Sequence, residues 1–342
     1  MKRTQVTITD IARALNISAS TVSRALHDHP SISDETKKSV RQLAADLNYQ
    51  PNLLALSLLN KKTYSIGIIV PEITSYFFAT VINGVQDMVA PLGYNLMISQ
   101  SNESVEEENK LINALSHIRA DGFLISPSSQ TVNGEHFNRL KNNGIPLVVF
   151  DRDVIGFEGD KVLVDDYDGA FQAVEYLIKT GCKRIAHIAG PPSLSISDHR
   201  MKGYLHSLRK NGIEIREDLV VTSTGFSPEH GRDAVKALIE LKESPDAIFA
   251  VNDGVAIGAM AVIKEAGFKI PEDISIIGFD DEPYSSYFTP SLSSVWQPVY
   301  DMGMLSAKIL LDHFASDHPV RTYRREVFKP ELMIRNSSKK LV

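Results

Sequence analysis

Three short apolar runs in this 342-residue chain each end on polar residues. Asp151 and Arg152 follow Leu147-Val148-Val149-Phe150, Asn252 and Asp253 follow Ile248-Phe249-Ala250-Val251, and Asp280 and Asp281 follow Ile276-Ile277-Gly278-Phe279. Carboxylates and a guanidinium fork gathered in one place hold vicinal hydroxyls through paired hydrogen bonds. Aromatic faces such as Phe77, Phe78, Phe226 or Trp296 would stack on the apolar side of a sugar ring. The same residues admit other roles. Asp151 and Asp280 could be the carboxylate pair of a glycoside hydrolase, although a sequence does not supply the separation that reaction needs. Asn252-Asp253 reads equally as a helix N-cap and Asp281 as a turn or cap residue. The aromatics are also open to a core role, and Tyr76 to either.

Other chemistry lacks its motif. The chain has no Gly-x-Ser-x-Gly elbow, no phosphate loop of the Gly-x-x-x-x-Gly-Lys type and no Gly-x-Gly-x-x-Gly. His27 and His29 flank Asp28 just before Pro30, a solvated turn rather than a metal site, and His187 lies in an apolar run as a core histidine. Cys182 is the one cysteine, so neither an internal disulfide nor a Cys-cluster metal site is available. No metal, cofactor or catalytic activity is expected.

A second chemistry sits at the start of the chain. Ile8, Ile11, Ala12 and Leu15 recur at helical spacing, and Thr7 with Asp10 three residues on makes a capping box. Asn16 stops that helix, and Ser18 caps a second one whose Val22, Ala25 and Leu26 face the first. Ala19, Ser20, Ser23 and Arg24 share its other face, small and polar with one guanidinium. Two short helices joined by a tight turn, the second with hydroxyls and an Arg outward, form the helix-turn-helix that reads a major groove, or else an ordinary surface hairpin. Ser33-Asp34-Glu35-Thr36 opens a third helix with Val40, Leu43, Ala44 and Leu47 inward, ending at Asn48-Tyr49.

Beyond a basic joint at 59–64, strands are predicted at 66–70, 95–99, 122–126, 146–150, 161–164, 184–189, 247–251 and 275–279. Amphipathic helices fall between them, for example at 80–90, 170–179, 200–210, 232–241 and 256–266. Continuous apolar strands alternating with helices predict parallel sheets covered on both faces, too many strands for one sheet. The Gly-containing acidic segment at 154–160 is expected to divide two doubly wound halves. Ligands of such sheets bind outside the carboxyl ends of the strands, where the polar residues lie.

Together these pieces resemble the lactose-repressor (LacI/GalR) family of bacterial transcription regulators. The resemblance is carried in order by Thr7-Ile8-Thr9-Asp10-Ile11-Ala12, Ser18-Ala19-Ser20-Thr21-Val22-Ser23-Arg24-Ala25-Leu26, Asn48-Tyr49-Gln50-Pro51-Asn52 and Ala55-Leu56-Ser57-Leu58. It continues through Ser65-Ile66-Gly67, Arg200-Met201-Lys202-Gly203-Tyr204, Asn252-Asp253 and Ile277-Gly278-Phe279-Asp280-Asp281. It implies an α/β fold in which a three-helix helix-turn-helix domain (1–50) and a hinge helix (51–63) precede a two-lobed doubly wound body (64–336) of periplasmic-binding-protein type, with a short polar tail (337–342). It implies more than one crossing between lobes, the last helix near 302–312 returning to the first. Thr7, Ser18, Ala19, Ser20, Thr21, Ser23 and Arg24, with Asn52, Ala55 and Leu58 of the hinge, are then set against DNA, Leu58 at the dyad as a wedge between base steps. Asp151, Arg200, Asn252, Asp280 and Gln297 fall on effector-contacting positions and Phe77, Phe78 and Phe226 on pocket walls. The pair Asp151-Arg152 is similar to that of ribose- and hexose-binding relatives.

Composition agrees. The net charge of −6 conceals a basic start: residues 1–62 carry nine Lys and Arg against five Asp and Glu, a net of +4, and the remainder −10. Phosphate affinity depends on local cations, so a small basic reader on an acidic body fits, two copies being needed for tight binding. No apolar run approaches the about 18 residues of a membrane span, and the start reads as an amphipathic helix rather than a signal segment, so a cytoplasmic protein is expected. The expected molecule is a homodimeric repressor on a pseudo-palindromic operator, controlled by a carbohydrate. The alternatives are a sugar-binding receptor or a sugar-modifying enzyme without DNA activity.

Overall fold

The computed structural model describes residues 6–49, 62–315 and 322–341, and the hinge positions Asn52, Ala55 and Leu58 lie outside the described residues. The chain divides into two compact units, Met1–Tyr64 and Ser65–Val342.

The first unit is three helices, α1 (Ile8–Leu15), α2 (Ala19–Leu26) and α3 (Asp34–Asp46). Their starts are fixed by hydroxyl caps. The Thr7 amide donates to the Asp10 carboxylate at 2.9 Å while the Asp10 amide donates back to Thr7 Oγ1 at 3.4 Å, and Ser18 and Ser33 accept from the amides of Thr21 and Thr36 at 3.1 and 3.3 Å. Asn16 ends α1 in the left-handed region at φ 55°, a conformation Asn tolerates better than most residues. Ile11, Ala12, Val22, Ala25, Val40 and Ala44 form the core. Leu47, expected inward, is 38% exposed because α3 has already ended at Asp46.

The second unit holds two six-stranded sheets. Its strands are β1 (Ser65–Val70), β2 (Asn95–Gln100), β3 (Gly122–Ile125), β4 (Leu147–Phe150), β5 (Asp160–Val164), β6 (Ile185–Ala189), β7 (Val220–Thr222), β8 (Ala247–Ala250), β9 (Ser275–Asp280), β10 (Ser293–Trp296), β11 (Arg325–Phe328) and β12 (Glu331–Met333). The first sheet runs β11-β5-β4-β3-β1-β2 with every pair parallel. The second runs β12-β10-β9-β8-β6-β7, antiparallel only where β12 meets β10. The helices are α4 (Tyr76–Val89), α5 (Val105–His117), α6 (Glu135–Asn142), α7 (Asp166–Lys179), α8 (Ser195–Lys210), α9 (Pro228–Ile239), α10 (Asp253–Glu265) and α11 (Val299–Ala315). Each sheet buries one apolar cluster on each face, which accounts for strands such as Ser65–Val70 that lack alternation. None of the described helices is long and apolar enough to cross a membrane.

The division between lobes differs from the sequence expectation. Residues 154–159 only turn, and β5, which begins at Asp160, still belongs to the first sheet, paired with β4 and β11. The chain crosses after Val164, again between Trp296 and Val299, and a third time between Phe328 and Glu331. Helix α11 returns to the first lobe as expected, Met302 and Leu310 packing in one cluster with Ile66 and Phe78. Glycine seats it: a Cβ on Gly303 would fall 2.2 Å from the Val81 carbonyl, and one on Gly84 2.2 Å from that of Tyr300. The polar end at 337–341 is no loose tail. Ser337 is fully buried, its hydroxyl donating to Ile276 O at 2.7 Å and its carbonyl accepting the Ile276 amide at 2.7 Å.

Candidate functional site

The carboxyl ends of both sheets open on one interlobe cleft of about 900 Å³, at the large end of the range for small-molecule sites. Lobe one contributes Phe77 and Phe78 from the first turn of α4, and Asp151 and Arg152 after β4. Lobe two contributes Arg200 from α8, Phe226 before α9, Asn252 at the cap of α10, and Asp280 at the end of β9. Asp151 and Asp280 have φ of 67° and 106°, a region that non-glycine residues avoid and that clusters at ligand sites. Both backbones bend where the strand stops.

Arg152 is forked onto Glu103, with Nη1 and Nη2 each 2.9 Å from a carboxylate oxygen, and Nη1 also donates to Pro127 O at 2.9 Å. Its guanidinium carbon lies 5.9 Å from the ring centre of Phe78 and 5.7 Å from that of Phe226, so it is shared by aromatic walls of both lobes. Arg200 directs Nε and Nη2 to Asp166 at 2.8 and 2.7 Å and Nη1 to Val251 O at 2.6 Å. It also stacks 3.6 Å from the centre of the Phe279 ring. Asp151 accepts from Ser126 Oγ at 3.0 Å with Arg152 Nε 3.5 Å away.

Burial dominates the acids. It pushes Asp151 up to about 6 against the pull of Arg152 and Arg200. It raises Asp280 well above the usual carboxylate range, opposed by Arg200 and reinforced by Glu282, Asp253 and Asp151. It lifts Asp166 too, despite the pull of Arg200. Burial also acts on Glu103, but the Arg152 fork outweighs it and holds that carboxyl below its ordinary value.

Gln297 stands behind the lining of the cleft, 3% exposed, and donates to Asp280 Oδ1 at 2.7 Å, which aims the Asp280 carboxyl. Trp296 also lies outside the lining. Asn252 caps α10, accepting the Val255 amide at 3.0 Å, and lines the cleft. Asp253 is fully buried and holds the loop behind, accepting from the Glu282 amide at 2.9 Å, Ser285 Oγ at 2.6 Å and Ser294 Oγ at 2.5 Å. Asp281 pairs with Arg335 at 2.5 Å. His187 is a core histidine, its Nδ1 2.9 Å from Phe249 O, and burial pushes it down to about 4.

Glu103, Asp166, Glu72 and Glu282 were not singled out from the sequence. The rule that found Asp151 would have found Glu103 after β2 and Asp166 after β5, had it been applied to every strand. Glu282 and the rim residues Tyr284 and Phe288 follow a bend that no local motif marks.

The raised acids set a pH dependence. Burial lifts Asp253 to about 7 in spite of its three donors. Because the folded value lies above the unfolded one of 3.8, the stability this group contributes is complete below about pH 4 and is lost as pH rises through 7. Asp253→Asn removes that titration. Urea unfolding at pH 5 and pH 8 should therefore show the wild type losing roughly 2–3 kcal/mol more than the variant across the interval, and equal losses would contradict the assignment.

In the first unit, Ser18, Ser20 and Arg24 are exposed on one side of α2, Arg24 Nε donating to Ser20 O at 3.3 Å. Thr21 and Ser23 are half-buried. Ala19, expected to face outward, packs partly against the core because it follows the cap directly. The Thr7 hydroxyl lies 2.7 Å from Asp10.

Comparison with known proteins matches residues 7–52 to bacterial regulatory proteins of the lacI family and residues 174–338 to a periplasmic binding protein-like domain. The chain is 36% identical over 340 residues to the probable HTH-type transcriptional repressor ExuR of Bacillus subtilis strain 168, covering 98% of this chain and 99% of that one. Among solved structures, a transcriptional regulator CelR–cellobiose complex matches with a TM-score of 0.74 at 27% identity, over 97% of this chain and all of the other. A LacI family transcriptional regulator from Enterococcus faecium with bound ribose matches with a TM-score of 0.70 at 28% identity, over 80% of this chain and 98% of that one.

Proposed function

Because the chain belongs to the lacI family of bacterial regulatory proteins, we propose that it is a sequence-specific DNA-binding repressor whose operator affinity is controlled by a sugar or sugar derivative in the interlobe cleft. The observation that carries the reading is one chain joining a helix-turn-helix unit, with Ser20 and Arg24 exposed on its second helix, to a cleft where strand-end acids and aromatic walls converge. The sugars in two similar structures, cellobiose and ribose, support the ligand class.

The protein acts in the cytoplasm as a homodimer on a pseudo-palindromic operator, two α2 helices entering successive major grooves. The edge strand β2 supports pairing of copies, since Ile98 is 51% exposed on it. Asn52, Ala55 and Leu58 contact the minor groove between the half-sites, with Leu58 as the kinking wedge. Asp151 and Arg152 sit on one lobe, Arg200, Asn252 and Asp280 on the other, so a sugar held by both sets the angle between them. The first lobe follows the hinge in sequence, and that angle sets hinge separation in the dimer. The protein carries out no catalysis.

Selecting binding sites from random duplex DNA with the full-length protein should return a consensus with two-fold symmetry. Arg24→Ala should then cost about 1–3 kcal/mol on that consensus and relax preference at one symmetric base pair. Selection with no sequence preference would refute the reading, and equal loss on every duplex would assign Arg24 to phosphate.

A further inference from the structure

Among the described residues five carboxylates line the cleft, Glu72, Glu103, Asp151, Asp280 and Glu282, against two guanidiniums. Both guanidiniums already have their terminal nitrogens engaged, while Arg152 Nε, 3.5 Å from Asp151, has no hydrogen-bond partner among the described residues. Arg152 gives both terminal nitrogens to Glu103, and Arg200 divides its donors between Asp166 and the Val251 carbonyl. Neither terminal fork is free for an incoming carboxylate or phosphate, and displacing Asp166 would leave a buried acid without its partner. The acids, by contrast, have acceptor capacity to spare. Glu282 is 6% exposed, lines the cleft, and its Oε2 has no hydrogen-bond partner among the described residues. Glu72 lines the same cleft from the first lobe, and the Glu282 carboxyl is raised by its burial first and then by the charges of Asp253 and Glu72. Unpaired carboxyl oxygens such as Glu282 Oε2 accept hydrogen bonds, so what completes this site is a ligand that brings donors and no negative charge.

We infer that the cleft selects its sugar by charge, taking a neutral or amino sugar and rejecting acidic and phosphorylated ones, with Glu282 and Glu72 as the residues that impose the selection. The inference rests on the cleft being a sugar site. Like charges brought together in a desolvated pocket oppose binding strongly, whereas hydroxyl or ammonium groups satisfy the open oxygens.

The test is isothermal titration of the full-length protein at pH 7 with matched sugars: glucose, glucosamine and glucuronate; galactose, galactosamine and galacturonate; ribose and ribose 5-phosphate; and cellobiose. The tightest ligand should be neutral or amino, with its acidic counterpart about tenfold or more weaker. Glu282→Gln should narrow that gap, and Glu72→Gln, which alters an exposed side chain, should narrow it without disturbing the fold. An acidic sugar binding as tightly as its neutral counterpart would overturn the charge selection but leave the sugar site standing. A gap unchanged in both variants would remove Glu282 and Glu72 from it. Absence of binding by every sugar in the set would overturn the sugar site and this inference with it.

Discussion

Arg200→Ala should destabilise the second unit by about 3–5 kcal/mol, the cost of leaving a buried partner charge uncompensated. Arg200 is 3% exposed and its donors end on Asp166 and on the Val251 carbonyl at the mouth of β8. Asp166 is itself buried, and its carboxyl is raised by that burial although the arginine opposes it. Removing the guanidinium leaves a desolvated carboxylate, an unpaired carbonyl and an empty space over Phe279, where the cation sits 3.6 Å from the ring centre. Urea unfolding followed by circular dichroism measures the loss, and Asp166→Asn in the same chain should recover part of it by removing the orphaned charge. A loss below about 1 kcal/mol would mean that the pair breaks even in the fold. Arg200 thus acts first as a girder between α7, α8 and β8. A weakened ligand response in Arg200→Ala would report on the lobe as much as on the cleft.

Asp280→Ala is the cleaner probe of the ligand, and it should weaken binding of the tightest sugar by about 2–5 kcal/mol, the loss typical of one partner of a buried charged hydrogen bond. The Asp280 carboxyl faces the cleft, receives one hydrogen bond from Gln297 and is held well above its ordinary value by burial among other acids. It costs the ligand-free protein energy, so its removal should raise the melting temperature of the unliganded second unit while abolishing the thermal shift that the sugar produces in wild type. Operator affinity without sugar should stay as in wild type, because the substitution lies in the second lobe and outside the DNA-reading unit. A variant that responds to sugar like the wild type would place the ligand elsewhere. One that loses operator binding without sugar would make Asp280 structural.

How far these residues could be read beforehand depends on how local their determinants are. Thr7, Ser18 and Ser33 announce helix starts within three residues, and the structure has all three caps. Asp151 and Asp280 were legible because an apolar strand must stop at the cleft and the next residue must face it. The hydrogen bond from Gln297 to Asp280 was not, since it spans 17 positions. Glu103 reaches Arg152 across 49 positions and Asp166 reaches Arg200 across 34, pairings that arise only once the sheets are wound. The boundary between lobes was misplaced for a related reason. Gly156 and its acidic neighbours look like a linker, yet β5 pairs with β4 on one side and on the other with β11, which arrives more than 150 residues later. Strand partners so distant leave no trace in a local window.

The account turns on coupling between cleft and operator, and linkage offers a direct measurement of it. Operator affinity should be titrated by fluorescence anisotropy with and without saturating amounts of the tightest-binding sugar, and the affinity for that sugar with and without operator duplex. Binding free energies are reciprocal, so both ratios should be the same factor, about 5- to 150-fold. A sugar that binds the cleft, as judged by its loss in Asp280→Ala, yet leaves operator affinity unchanged would contradict the account.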